Sequence, residues 1–297
     1  MKRLMTLLLA AGLVLGATSA AKAVDFKMTG LWQNRVSFAD RNFEKHNGDD
    51  KMRAATRLRT QIDVIASESL KGVMFFEIGH QNWGKSNDGA SLGTDGKIIK
   101  VRYSYVDWVI PQTDAKVRMG LQPYVQPTFT GIGSPILDAD GAGITISNQF
   151  TENVSASLFW LRAENDNDPE MTKHDAHDAM DFIGVTVPMT FDGVKVTPWG
   201  MGGSIGHDSF KGGNFDLNYP MAQGMLPLMG TSTIVANSDK DHGSAWFGGV
   251  SADLSYFDPF RFALDAAYGS VDLGTSKQNG KNFVVKRSGW YAALLAE

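Results

Sequence analysis

The sequence predicts an all-β protein, an antiparallel transmembrane β-barrel, on three observations. Apolar and polar residues alternate with period two along segment after segment. The connections between those segments run short, long, short, long. After residue 23 no apolar stretch approaches the roughly 18–20 residues that a membrane-crossing helix needs. A chain lying in lipid must then satisfy its backbone by closing strands into a barrel. The composition agrees, because 32 glycines with 20% charged residues suit a turn-rich β protein.

Residues 1–23 come first and stand apart. Lys2 and Arg3 precede the apolar run LMTLLLAAGLVLGA, and Ala21-Lys22-Ala23 supplies an A-x-A cleavage site, so this segment reads as a secretory signal peptide. Removing Lys2, Arg3 and Lys22 leaves 25 basic against 32 acidic residues, a net charge of about −7. That balance gives no reason to expect a nucleic-acid partner. The chain has no cysteine, which excludes disulfides, thiolate metal sites and thiol nucleophiles.

The barrel is expected over residues 24–297. In the first strand Phe26, Met28, Trp32, Val36 and Phe38 fall on one parity, against Lys27, Gln33, Arg35 and Ser37 on the other. A polar loop follows at 40–53, and then Leu58, Ile62 and Val64 alternate with Arg57, Arg59, Gln61 and Asp63. The turn 68–71 leads into 72–83, where Met74, Phe76 and Ile78 oppose Phe75, Glu77 and Gln81. After a second polar loop, Ile99, Val101, Tyr103 and Tyr105 alternate with Lys100, Arg102 and Ser104. The turn 111–114 gives Val117, Met119 and Leu121 against Lys116, Arg118 and Gln122.

Segments 144–150 and 154–164 are joined at 151–153, and an acidic loop spans 165–178. Segments 181–191 and 194–205 meet at Asp192-Gly193, a strong hairpin signal. A second long insertion covers 207–243. Segments 246–256 and 260–269 turn at Asp258-Pro259, and a polar loop at 272–282 precedes the last segment, 283–297. Twelve strands are counted in this way. Short turns at one end and long loops at the other are the pattern of an outer-membrane barrel. Seven tryptophans spread over seven candidate strands fit girdles at the two membrane interfaces. Pro188, Pro198 and Arg287 fit less well: each proline deletes a ladder hydrogen bond, and Arg287 shares parity with Val285, which places it near the rim or past a register shift.

The loop at 122–143, QPYVQPTFTGIGSPILDADGAG, is too apolar for a free connection of its length. Tyr124, Val125, Phe129, Ile132, Ile136 and Leu137 call for a packing surface, and inside a barrel that surface is the lumen wall. There the loop narrows a water-filled channel and presents Asp138 and Asp140 to passing solutes. The insertion 207–243, with NYPMAQGMLPLMGTSTIVA, is the second candidate for that place.

The chain resembles the general trimeric porins of Gram-negative outer membranes, and looks most like the homotrimeric porins of sulfate-reducing bacteria. The likeness rests on RLRTQIDVIASESLKG, FFEIGHQNWG, VRYSYVDWVIPQTDAKVRMGLQP and the insertion after the fifth candidate strand. It implies a sixteen-stranded barrel whose third external loop, between strands five and six, folds inward opposite a wall of basic side chains. Here that wall would comprise Arg35, Arg57, Arg59, Lys100, Arg102, Lys116 and Arg118, and the constriction loop would carry Tyr124, Phe129, Asp138 and Asp140. Such a wall and loop set up a transverse field that orders water and penalises large apolar solutes. The resemblance further implies a homotrimer in the outer membrane, in contact with lipid and lipopolysaccharide, passing ions and small polar solutes by passive diffusion. Porins of this kind end in a terminal aromatic residue, whereas this chain ends YAALLAE, so a piece truncated at its C-terminus is expected.

No catalytic residues and no cofactor are expected, and H-E-x-x-H does not occur. The pair His174 and His177 with Asp175 and Asp178, and the pair Asp166 and Asp168, are weak candidates for metal, so no metal site is expected. The competing readings are a soluble periplasmic β-sandwich that binds glycans and an outer-membrane barrel enzyme.

Overall fold

The computed structural model describes residues 24–39, 51–93, 96, 99–131, 133–165, 179–206, 228, 242–257, 259–278 and 280–297. The predicted signal peptide, the acidic segment 166–178 with its candidate metal ligands, and all of 207–241 except Leu228 lie outside the described residues. The chain falls into two compact units, Met1–Trp108 and Val109–Glu297.

The first unit is an antiparallel meander of β1 (Asp25–Ala39), β2 (Lys51–Ile65), β3 (Leu70–Asn82) and β4 (Lys100–Val109). Its register puts Phe26, Met28, Trp32 and Phe38 on one face with Met52, Leu58, Ile62 and Val64. That face is bare: Phe26 is 72% exposed, Trp32 70% and Phe38 77%. The opposite face carries Gln33 and Arg35 beside Arg57, followed by Arg59, Gln61 and Asp63. Water does not favour so large an exposed apolar face, and the opposite face is too charged to be a core.

β4 departs from strict alternation. Phe75 pairs with Tyr103 and Phe76 with Val101, so Arg102 is the extra residue of a β-bulge. The phase therefore slips by one. Tyr103 and Tyr105, expected with Val101, lie on the polar face opposite Phe75 and Val73, while Ser104 joins the apolar face with Val106 and Trp108.

The second unit contains β5 (Lys116–Val125), β6 (Asp138–Thr151), β7 (Val154–Asn165), β8 (Ala179–Thr186), β9 (Met189–Phe191), β10 (Val194–Gly206), β11 (His242–Leu254), β12 (Phe262–Gln278) and β13 (Lys281–Ala296). The sheet order is β5-β6-β7-β8-β10-β11-β12-β13, with β9 beside β10 and β7. Neighbours in sequence are neighbours in space, as in an up-and-down meander. The all-β antiparallel class expected from the sequence is the fold observed.

Element boundaries differ from expectation in several places. The segment 181–191 is split into β8 and β9 around Pro188, facing Thr197 and Pro198 across the gap. The two prolines thus concentrate their missing donors in one place, where the Val187 N–H donates to the Pro198 carbonyl at 3.0 Å and the Ser155 N–H to the Pro188 carbonyl at 3.1 Å. The polar stretch 272–282, expected as a loop, is instead strand on both sides of a tight turn. Thr275–Gln278 continue β12 against Lys281–Val284, past a register shift after Asp272. Polar residues hold strand geometry there because each has a ladder partner.

In this unit, too, the faces differ. Outward go Met119, Val125, Ile146, Leu158, Ile183, Trp246, Tyr268, Trp290 and Leu294, all substantially exposed. Inward go Tyr124, Phe159, Leu161, Met180, Phe182, Trp199, Met201 and Phe247, which form one buried cluster with Ile136 and Leu137.

Candidate functional site

On the polar face of the first unit, cations outnumber acids. Arg59 donates from Nε to Glu77 Oε2, and Arg102 Nη1 lies 3.6 Å from the same oxygen. Lys100 stands directly opposite Glu77, and Arg57 adjoins through β2. Further along, Asp63 accepts from Gln61 and pairs with Lys71 at 3.5 Å. Glu77 therefore faces a group of four cations, Arg57, Arg59, Lys100 and Arg102. Of the predicted basic wall, Arg35, Arg57, Arg59, Lys100 and Arg102 all belong to this face, Arg102 by way of its bulge. Lys116 and Arg118 lie in the second unit, on the inward parity of β5 with Gln122 and Tyr124.

The inward face of the second unit holds the loop. Residues 126–137, shorter than the expected 122–143, connect β5 to β6, because both strands run on as a paired hairpin to Val125 and Asp138. The base is closed by the Gln126 N–H donating to the Leu137 carbonyl at 2.9 Å. Below it Gln122 is buried, donating to the Gly143 carbonyl and accepting from Thr145. The Tyr124 hydroxyl donates to the Trp160 carbonyl at 3.2 Å, and its ring packs 5.4 Å from that of Phe159.

The loop is tied to a distant strand. Asp265 of β12, 3% exposed, accepts hydrogen bonds from the Phe129 N–H (2.9 Å), the Thr130 N–H (3.0 Å) and the hydroxyls of Thr128 (2.6 Å) and Thr130. Ser251 of β11 donates to the Pro127 carbonyl at 2.7 Å. Arg261 donates to the Phe129 carbonyl at 3.1 Å while paired with Asp253 and Glu297.

Elementary lengths give this tether a consequence. β12 is six strands from β5 in the sheet, which in a flat sheet means about 29 Å at about 4.8 Å per strand. Thr128 is three residues past the end of β5, a reach of about 10 Å. The sheet of this unit must therefore curl around the loop, so that the loop spans its concave side. The apolar cluster under Ile136 and Leu137 is the packing surface that the loop composition demanded.

The acidic half of the predicted constriction is corrected. Asp138 and Asp140 are residues of β6, opposite Val125 and Pro123, on the parity of Ile144 and Ile146. They therefore lie on the sheet face opposite to Lys116 and Arg118, because β6 begins at Asp138 and not after Gly143. Tyr124 is likewise a strand residue, and only Phe129 of the four is carried on the loop itself. The acid that meets the loop is Asp265. Its signal was present in the sequence as an aspartate on the polar parity of a strand, but nothing local linked it to residues more than 130 positions earlier. Arg287 is also resolved: it pairs with Val271 on the inward face, with Val285 against the buried cluster. It lines a cavity of about 400 Å³ with Ile136, Phe247, Val271 and Tyr291.

No protein-family model and no curated protein matches the chain. Among solved structures it is similar to a loop-deletion mutant of OmpT, an outer membrane protein of Vibrio cholerae, at 12% identity and a TM-score of 0.41, over 92% of this chain and 87% of that one. It is similar to OccD3 (OpdP) of Pseudomonas aeruginosa at 10% identity and a TM-score of 0.41, over 95% of this chain and 56% of that one. The trimer form of OmpT gives 10% identity and a TM-score of 0.26. Likeness this distant carries no functional conclusion.

Proposed function

We propose that this chain is an outer-membrane porin, a water-filled channel through which ions and small polar solutes diffuse passively. The observation that carries the reading is the curled sheet of the second unit, apolar on its outer face and crossed on its inner face by the loop tethered at Asp265. An outward surface of Met119, Ile146, Leu158, Trp290 and Leu294 is a poor partner for water and a good one for acyl chains. Exposed Tyr256, Phe257 and Phe260 cluster at the turn between β11 and β12, where a membrane–water interface favours aromatic rings. Passage requires no reaction, only a wet lumen of controlled width. The basic residues of β2 and β4 supply a field over the polar face of the first unit that favours anions. The homotrimer and the contact with lipopolysaccharide implied by the resemblance belong to the same proposal.

The consecutive strand order within each unit favours this reading over a glycan-binding sandwich, whose sheets are usually connected in Greek-key fashion. The test is single-channel recording in planar bilayers with the full-length protein. Stepwise ohmic conductance is expected, with a reversal potential displaced toward the anion in a salt gradient. Insertion without current would overturn the reading.

A further inference from the structure

The bulge at Arg102 does more than break alternation. It turns Tyr103 and Tyr105 onto the cationic face of the first unit, where Phe75 and Tyr103 stack with centroids 4.9 Å apart and planes 18° from parallel. Tyr105 continues the row, its ring 6.5 Å from that of Tyr103. The Arg102 guanidinium lies 5.7 Å from the Tyr103 ring centroid. One row along the strands, Arg59, Glu77 and Lys100 stand side by side, which at strand spacing is about 7 Å away. A line of half-buried rings thus borders a row of cations, with Glu77 as the carboxylate among them.

Neither row needs the other for folding a strand. Apolar rings on a wet face are costly unless something covers them, and cations gathered around one carboxylate repel one another. A solute with a flat ring and an oxyanion relieves both: its ring stacks on the aromatic row, and its oxygens accept forked hydrogen bonds from guanidinium. Simple inorganic anions can use only the second row. Neutral sugars would gain little from the charge excess.

Resting on the porin reading above, we infer that the Phe75–Tyr103–Tyr105 row with Arg59, Lys100 and Arg102 is a binding subsite for aromatic organic anions on their way through the channel. The residues on that face that would meet such a solute include opposing charges, Glu77 and Asp63, so the site favours dianions less than a purely cationic wall would.

The test compares benzenesulfonate with methanesulfonate, equal in charge and differing in the ring, on single channels of the full-length protein. Benzenesulfonate is expected to interrupt the current in a concentration-dependent, saturable way, and methanesulfonate only to carry it. Replacing the rings while keeping apolar bulk, with Tyr103→Leu and separately Phe75→Leu, is expected to shorten the blockades about two- to tenfold. Arg102→Gln is expected to weaken blockade by both aromatic sulfonate and aromatic carboxylate. Equal behaviour of the two sulfonates on conducting wild-type channels overturns the subsite and leaves the porin reading standing. Blockade unaltered in both leucine variants also overturns it. Channels that insert and never conduct remove both.

Discussion

Asp265 gathers four donors into one carboxylate, two of them backbone amides that have no other acceptor among the hydrogen bonds described. Removing the acceptor leaves buried groups unsatisfied, at about 1–3 kcal/mol each. Asp265→Ala is therefore expected to free the loop without unfolding the strands. Channels of this variant should show added current noise, and protease should cut near 128–131 while wild-type protein resists. Asp265→Asn, which keeps the volume and one accepting oxygen, should fall between the two. Quiet, protease-resistant Asp265→Ala channels would show that the packing of Ile136 and Leu137 and the bonds from Ser251 and Arg261 hold the loop without the carboxylate. Gly143 is a second fixed point, since a Cβ there would run into the Trp160 carbonyl and the Tyr124 hydroxyl. Gly143→Ala should cost about 1–3 kcal/mol, read as a lower denaturation midpoint of the folded band on a detergent gel.

At the level of elements, period-two alternation was legible wherever the register is regular. β1 and β2 could be read face by face from Phe26, Trp32, Arg57 and Arg59, because one pairing error would have moved every apolar side chain to the wrong side. β4 could not, because a bulge is a property of the pair and not of either strand, and nothing in VRYSY marks Arg102 as the extra residue. The β12–β13 turn was misjudged for a different reason. Polarity at 272–282 outweighed the Asn279-Gly280 dipeptide, itself a hairpin signal, and Gly280 has the positive φ of 75° that such turns use. The basic half of the site was visible as parity. Its acidic half was not, since Asp138 and Asp140 looked like loop residues until their pairing with Val125 and Pro123 was known. Deleting Arg102 tests the bulge itself. The flanking pairs already match across it, so the strands should still fold and show heat-modifiable mobility, while the anion preference of the channel falls. Loss of folding would mean that the bulge is required for the curvature of the strand.

For the whole molecule, the account depends on which side of each strand is wet. Both units show the same division, apolar and bare on one face, charged or loop-covered on the other. The absence of natural cysteines makes the division directly measurable. Single cysteines placed at Met28, Trp32, Trp290 and Leu294 sample the apolar face, and at Gln33, Arg59, Arg102 and Arg118 the polar one. With the protein in lipid vesicles, a membrane-impermeant thiol reagent is expected to modify the second set quickly and the first set at least tenfold more slowly. The opposite order, or equal rates for the two sets, would contradict a channel lined by cations and faced with lipid.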